Sequence, residues 1–288
     1  MIIKRIGVVG AGMMGSEIAL TFALAKHDVR LNDAVEDRLT VAMKTISSTL
    51  DKGVTRQFWL QADAKRALDQ IRTTDKLTDY ADCDVVIEAV SENEAIKASV
   101  FQQLDKICRD DCLIASNTSS ISITVLASYL SPARRANFLG THFFSPVSRM
   151  KLVEVIPGID TDARTVEAVK MLCQSAGKTP IQVKDVVGFA VNRLLHALLI
   201  EAMRLAEEGV ADAADIDTAC KLGLGHPIGP FELMDLVSNG LTLQVQEVLL
   251  AAYGERFRPP MLLKKMVKAG YDGRKAGRGW LRWDKKAG

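Results

Sequence analysis

Ile6-Gly7-Val8-Val9-Gly10-Ala11-Gly12-Met13-Met14-Gly15 is the stretch on which the reading of this chain turns. A short β-branched run ends in three glycines spaced GxGxxG, and an Ala/Leu-rich helical pattern follows from Met13 to Lys26. Each glycine has a physical reason in a strand–turn–helix. Gly10 permits the tight backbone, Gly12 leaves room for a pyrophosphate, and Gly15 lets the helix close on the strand. The unpaired N–H groups of Met13, Met14 and their neighbours then face an anion at the helix start.

Outward from this turn, Val29–Asn32 reads as a second strand, and Asp33 follows it 23 residues after Gly10. A carboxylate there binds both hydroxyls of an adenine ribose. Ala34, Val35 and Glu36 come next, so no arginine immediately follows to receive a 2′-phosphate. The pattern therefore favours NAD over NADP. FAD, another dinucleotide, or a purely structural turn are the alternatives at this point.

The first half continues to alternate. Amphipathic helical patterns cover Glu36–Lys52 and Arg56–Gln70, then strand Asp84–Val90, helix Asn93–Cys108 and strand Cys112–Ala115. Helix Ile123–Tyr129, strand Phe138–Phe144, strand Leu152–Ile156, helix Asp162–Ala176 and strand Pro180–Val183 complete it. Strands separated by helices of this length predict an α/β, Rossmann-type domain with a mostly parallel sheet over 1–184. After Lys184–Gly188 the pattern is helical, over Gly188–Glu208, Asp212–Lys221, Phe231–Leu236, Gly240–Tyr253 and Pro260–Ala269. This predicts an all-helical C-terminal domain over 185–288, with Asp212 as an N-cap and Gly209 ending the preceding helix.

Composition narrows the function classes. The 288 residues are 48% apolar and 25% charged, which suits a packed core and excludes wholesale disorder. A formal net charge of +2 gives no global field for nucleic acid. Charge concentrates in Lys264–Lys286, with nine basic residues against two acidic ones; this is a solvated surface or a seat for a phosphate-rich ligand. Lys4 and Arg5 ahead of an apolar run imitate a secretion signal, but Ser16 and Glu17 interrupt it early. The apolar segment Phe189–Ala206 contains Asn192, Arg193, His196, Glu201 and Arg204, so it reads as a buried helix and not a membrane span. Five cysteines without a CxxC suit a reducing cytoplasm, and four scattered histidines offer no metal-ligand spacing.

His142 closes an apolar strand in Gly140-Thr141-His142-Phe143-Phe144-Ser145-Pro146, and Glu154 follows twelve residues later within Leu152–Ile156. A carboxylate among apolar residues is costly to bury unless it is paired. Paired with His142, it makes a base oriented by an acid, which suits moving a hydroxyl proton. Asn192 lies in an otherwise apolar helical stretch, as a site residue or a helix-end cap.

The chain resembles the L-3-hydroxyacyl-CoA dehydrogenase family, including its short-chain 3-hydroxybutyryl-CoA members, from Ile6 to Trp283. The carriers are Gly10–Gly15, Glu88-Ala89-Val90-Ser91-Glu92, Ala115-Ser116-Asn117-Thr118-Ser119-Ser120, Gly140–Pro146 with Leu152–Ile156, Gly188-Phe189-Ala190-Val191-Asn192-Arg193, and Gly225-His226-Pro227-Ile228-Gly229-Pro230-Phe231. The resemblance implies NAD-dependent, reversible oxidation of an L-3-hydroxyacyl-CoA in fatty-acid metabolism. It implies a homodimer formed through the helical domain. By it, His142 is the base, Glu154 its partner, Ser119 the hydroxyl on the substrate oxygen, and Asn192 a holder of the substrate near the nicotinamide. Asp33, Glu92, Lys97, Asn117, Ser119 and Lys275 are implied as NAD contacts. Thr49 and Arg56 fall where the family touches CoA. Ser145 departs from the usual asparagine after His-Phe-Phe, which bears on the acyl group accepted. A dehydrogenase of a free 3-hydroxy acid or sugar acid is the alternative.

Overall fold

The computed structural model describes residues 3–283. Asp284, Lys285 and Lys286, counted above in the basic segment, lie outside the described residues. Two compact units divide between Val186 and Val187.

The first unit alternates strands and helices in chain order: β1 (Arg5–Val9), α1 (Met13–Leu24), β2 (Asp28–Asn32), α2 (Glu36–Thr55), α3 (Gln61–Asp69), β3 (Ile71–Thr74), β4 (Val85–Glu88), α4 (Glu94–Ile107), β5 (Leu113–Ser116), α5 (Ile123–Ala127), β6 (Phe138–Phe143), β7 (Leu152–Pro157), α6 (Ala163–Ser175) and β8 (Thr179–Gln182). They form one eight-stranded sheet ordered β3-β2-β1-β4-β5-β6-β7-β8. Strands β1 to β6 are parallel to their neighbours, β7 runs antiparallel to β6, and β8 is parallel to β7. The buried runs Ile6–Val9, Val85–Glu88 and Leu113–Ser116 have no alternation because helices cover both faces. Strand order reverses between β1 and β4, and the crevice outside their carboxyl ends is where such sheets bind ligands.

Two differences from the sequence pattern concern this sheet. Strand β3 was not expected: it is four residues long with an exposed Arg72 and Thr73, so it carries no apolar run. The stretch Arg56–Gln70 is not one helix. Arg56 ends α2, Gln57 takes a left-handed turn at φ 59°, and α3 begins at Gln61.

The second unit is helical: α7 (Val191–Glu207), α8 (Ala213–Gly223), α9 (Pro230–Val237), α10 (Asn239–Tyr253) and α11 (Met261–Lys268). Its core is built from Leu199, Met203, Phe231, Met234, Leu249 and Leu263. Asp212 caps α8 by accepting the Asp215 N–H at 2.9 Å, and Gly209 has φ +72°, so both helix-boundary expectations hold. Asp235 accepts from the backbone of Trp280 and Leu281 and from the Trp283 indole, fastening the last described residues to the helices.

Candidate active site

The glycine turn is built as its spacing requires. Gly10 has φ +100°, and a Cβ there would lie 2.7 Å from the Ala89 carbonyl oxygen at the end of β4. A Cβ on Gly15 would lie 1.8 Å from the Gly10 carbonyl oxygen, so only glycine lets α1 start this close to the turn. Around Gly12 a Cβ would meet nothing within 4 Å, which leaves the space an incoming pyrophosphate needs. No side chain caps α1 and no acid sits in its first turn, which leaves the N–H groups at its start open to an anion.

A cleft of about 900 Å³ opens over this turn, lined by Gly10, Gly12, Met13, Met14, Asp33 and Val90 among others. Asp33 is buried at its edge. It accepts the Ala11 N–H on Oδ2 and the Val35 N–H on Oδ1, both at 3.0 Å, which leaves further lone pairs for ribose hydroxyls. Arg38, on the first turns of α2, brings a guanidinium nitrogen to 3.9 Å from Asp33 Oδ1. It lies beyond the Ala34–Glu36 stretch that immediately follows the carboxylate, so sequence adjacency gives no sign of it. The residues present therefore fit a dinucleotide: a cradle for the pyrophosphate, a helix start, and a carboxylate for ribose.

A second cluster is built on the facing strands β6 and β7 and the loop after β5. Antiparallel pairing puts His142 directly opposite Glu154. His142 Nδ1 is 2.8 Å from Glu154 Oε2, and Glu154 is fully buried. With the carboxylate as acceptor, Nδ1 carries the proton and Nε2 takes the Ser119 hydroxyl, 3.0 Å away. The Phe144 ring lies edge-on to the imidazole with centroids 4.6 Å apart. Asn117 ties β5 to β6 by accepting the Phe143 N–H at 3.0 Å. An imidazole held in one tautomer, with its other nitrogen at a hydroxyl, is equipped for proton transfer.

Glu92 holds the loop that carries Ser119. Its Oε1 accepts the Thr118 hydroxyl at 2.6 Å, and the Ser119 N–H, the Ser120 N–H and the Ser120 hydroxyl at 2.9 Å each. Burial works against this charge, but Lys97 and the donors on Thr118, Ser120 and Ser119 outweigh it and keep the carboxyl below its usual range. Lys97 itself is fully buried, its ammonium 2.7 Å from Glu88 and 3.4 Å from Glu92.

Thr49 and Arg56 come together in a second cleft, of about 560 Å³. Lys52, Phe58, Trp59 and Arg149 also line it, none of which the sequence pattern had marked. Trp59 folds back onto Gly53, where a Cβ would lie 2.1 Å from the indole. The Thr49 hydroxyl donates to the Thr45 carbonyl, one turn back. Glu17 reaches the same cleft and accepts the Val147 N–H, which anchors the segment carrying Arg149.

Three expected site residues remain. Ser145 is exposed and precedes Pro146 through a cis peptide bond. Asn192 is half-buried in the first turn of α7, one residue past its start, so it is not the cap. Lys275 is exposed on a single 3₁₀ turn, Arg274–Ala276. Both belong to the second unit. Among the described residues, no cluster of three or more His, Cys, Asp or Glu could hold a metal.

Comparison with known proteins completes the picture. Residues 5–186 match the family "3-hydroxyacyl-CoA dehydrogenase, NAD binding domain", and residues 188–283 match "3-hydroxyacyl-CoA dehydrogenase, C-terminal domain". The chain belongs to the 3-hydroxyacyl-CoA dehydrogenase family. It is thus an oxidoreductase with an NAD-binding domain. It is 42% identical to a 3-hydroxybutyryl-CoA dehydrogenase of Bradyrhizobium diazoefficiens over 280 residues, covering 97% of this chain and 95% of that one. It is 38% identical over 294 residues to a mitochondrial hydroxyacyl-coenzyme A dehydrogenase of Sus scrofa, covering 98% and 92%. The crystal structure of an (S)-3-hydroxybutyryl-CoA dehydrogenase from Ralstonia eutropha superposes with a TM-score of 0.94 at 41% identity, covering 99% and 100%. Among the described residues, no helix is long and apolar enough to cross a membrane.

Proposed function

We propose that this enzyme reversibly oxidises an L-3-hydroxyacyl-CoA to the 3-oxoacyl-CoA, with His142 and Glu154 as its acid–base pair. The observation that carries this reading is the line from Glu154 through His142 to the Ser119 hydroxyl. It ends beside the Glu92 loop, which continues from Ala89-Val90-Ser91 at the wall of the dinucleotide cleft.

NAD, when bound, supplies the acceptor for the hydride that leaves C3. The protein's part is to move and hold protons. His142 Nε2 takes the C3 hydroxyl proton in oxidation and returns it in reduction. Glu154 keeps the imidazole in the required tautomer and offsets the charge it gains. Ser119 and Asn192 hold the substrate oxygen. Asp33, Asn117 and the Gly10–Gly15 turn hold the cofactor, with Lys275 as a further contact; Lys97 acts through Glu92. Thr49, Arg56 and the Lys52–Arg149 cations receive the CoA phosphates. Three cations around a cleft whose single carboxylate is already hydrogen-bonded favour a CoA thioester over a free hydroxy acid.

We assign the first unit to the cofactor and the second to substrate holding and self-association. Leu194, Leu222, Leu224 and Met261 are exposed apolar residues of the second unit and support a homodimer. The five free, buried thiols support a cytoplasmic setting.

The test is the loss of reduced-nicotinamide absorbance with purified protein and acetoacetyl-CoA, with NADH and NADPH run in parallel. Rapid loss with NADH and little with NADPH is expected. NADH binding with no oxidation, while free acetoacetate is reduced, would overturn the thioester assignment.

A further inference from the structure

The Lys97 side chain has no exposure to solvent. Burying a charge of this kind is costly, and it persists only where partners surround it. Its position on α4 is part of the helix's apolar stripe, in register with Phe101 and Leu104. A methionine or leucine would satisfy the packing there. The charge calls for another explanation, and its two partners supply one.

Glu88, the last residue of β4, is itself fully buried. One of its oxygens takes Lys97 at 2.7 Å and the Val90 N–H at 2.8 Å; the other takes the Ser116 hydroxyl at 2.6 Å. Lys97 lies between this carboxylate and Glu92. Glu92 points Oε2 at the ammonium and spends Oε1 on four donors of the Thr118–Ser120 loop. Four donors on one oxygen is a demand that an ionised carboxylate meets and a protonated one does not. The loop lies between β5 and α5, and its Ser119 hydroxyl is 3.0 Å from His142 Nε2.

We propose that Lys97 is a positioning residue: through Glu92 it fixes the Thr118–Ser120 loop and so sets the Ser119 hydroxyl against His142. The inference rests on the reaction proposed above. It differs from the cofactor-contact role implied by resemblance, because the Lys97 ammonium is sealed beneath the surface and touches two carboxylates instead. Without the ammonium, Glu88 and Glu92 confront each other as like charges, and Glu92 loses the cation that holds its Oε2. Repulsion from Glu88 then displaces Glu92, and the loop it holds through Oε1 shifts with it. A reacting group displaced by about 1 Å costs on the order of 10²-fold in rate.

The experiment compares wild type, Lys97→Met and the Glu88→Gln/Lys97→Met pair. Three quantities are read: kcat for NADH-dependent reduction of acetoacetyl-CoA, the NADH Kd by fluorescence, and the melting temperature. Lys97→Met is expected to lose about 10²-fold in kcat at neutral pH, with NADH affinity near wild type. A kcat loss without a matching rise in NADH Kd separates loop positioning from cofactor binding. Removing the Glu88 charge as well relieves the repulsion and recovers part of the rate. Should the buried variants fail to fold, Thr118→Val removes the 2.6 Å bond at the far end of the relay and is expected to lower kcat about tenfold, a hydrogen bond to a charged group.

Turnover in Lys97→Met matching wild type overturns the inference. So does a rise in NADH Kd that accounts for the whole loss, which returns Lys97 to cofactor binding. Unchanged kcat in Thr118→Val also overturns it. A wild-type protein that binds NADH but does not reduce acetoacetyl-CoA overturns the proposed reaction instead, and is seen before any variant is made.

Discussion

Glu154→Gln is the sharpest test of the acid–base pair. The side chain keeps its size, and Glu154 is fully buried, so no water replaces the lost charge. With Nδ1 and Oε2 at 2.8 Å, the centres of the two charges in the protonated imidazole pair lie about 4 Å apart. At an effective dielectric of about 20 that separation is worth about 4 kcal/mol. At 1.36 kcal/mol per decade, the variant is expected to lose about three decades of kcat. The amide adds a second fault. If its NH₂ faces Nδ1, the ring proton moves to Nε2, and the nitrogen that receives the substrate proton is blocked. Substrate KM and NADH Kd should change little, because the carboxylate faces the histidine and not either cleft.

Steady-state oxidation of L-3-hydroxybutyryl-CoA, the direction in which the imidazole gains its charge, measures kcat and KM, and NADH titration measures cofactor affinity. The same substitution made in a His142→Gln background should cost almost nothing further, since Glu154 acts only through the ring. A kcat loss below about tenfold in the single variant would refute the electrostatic argument, since proton-transfer groups are typically worth about 10²–10⁴-fold. A full additional loss in the His142→Gln background would show that Glu154 acts by another route.

Arg56→Ala and Arg149→Ala are each expected to raise the KM for acetoacetyl-CoA up to about fivefold, the yield of an exposed ion pair. The corresponding pantetheine thioester, which lacks the nucleotide phosphates, should not respond. NADH should be strongly preferred to NADPH, and Asp33→Ser should narrow the ratio of kcat/KM values, because Arg38 already lies beside the 2′-position's carboxylate. An unchanged ratio would remove Asp33 from cofactor selection. His196 is buried in α7, its Nδ1 has no hydrogen-bond partner among the described residues, and burial pushes it down to about 4. Its ordinary value is about 6.5, so only the unfolded chain binds the proton between those limits, and stability falls as pH drops through that window by up to about 3 kcal/mol. Urea unfolding at several pH values should show this slope, and His196→Phe should flatten it.

How far the site was legible depends on whether its signals were local. The Gly10–Gly15 turn, α1 and Asp33 lie within one βαβ unit, where spacing and chemistry coincide, and the structure builds the turn and places Asp33 as that spacing expected. His142 and Glu154 were legible for a different reason. Each is a polar residue inside an apolar strand, and a buried carboxylate requires a partner. The sequence left the strand direction open; the antiparallel turn from β6 to β7 is what makes them direct neighbours. Arg38 and Arg149 were not legible, since α2 and the segment after Pro146 converge on the clefts only through tertiary packing. Lys97 falls between these cases. Positions 97, 101 and 104 share one helical stripe, and a lysine among apolar neighbours is the same kind of signal as Glu154 among its own. Glu88, the one charge in Val85-Val86-Ile87-Glu88, is its counterpart at the end of a buried strand. The rule that paired Glu154 with His142 therefore also pairs Lys97 with Glu88. Applied to every charge inside an apolar run, it leads from the reacting histidine to the network that holds its loop.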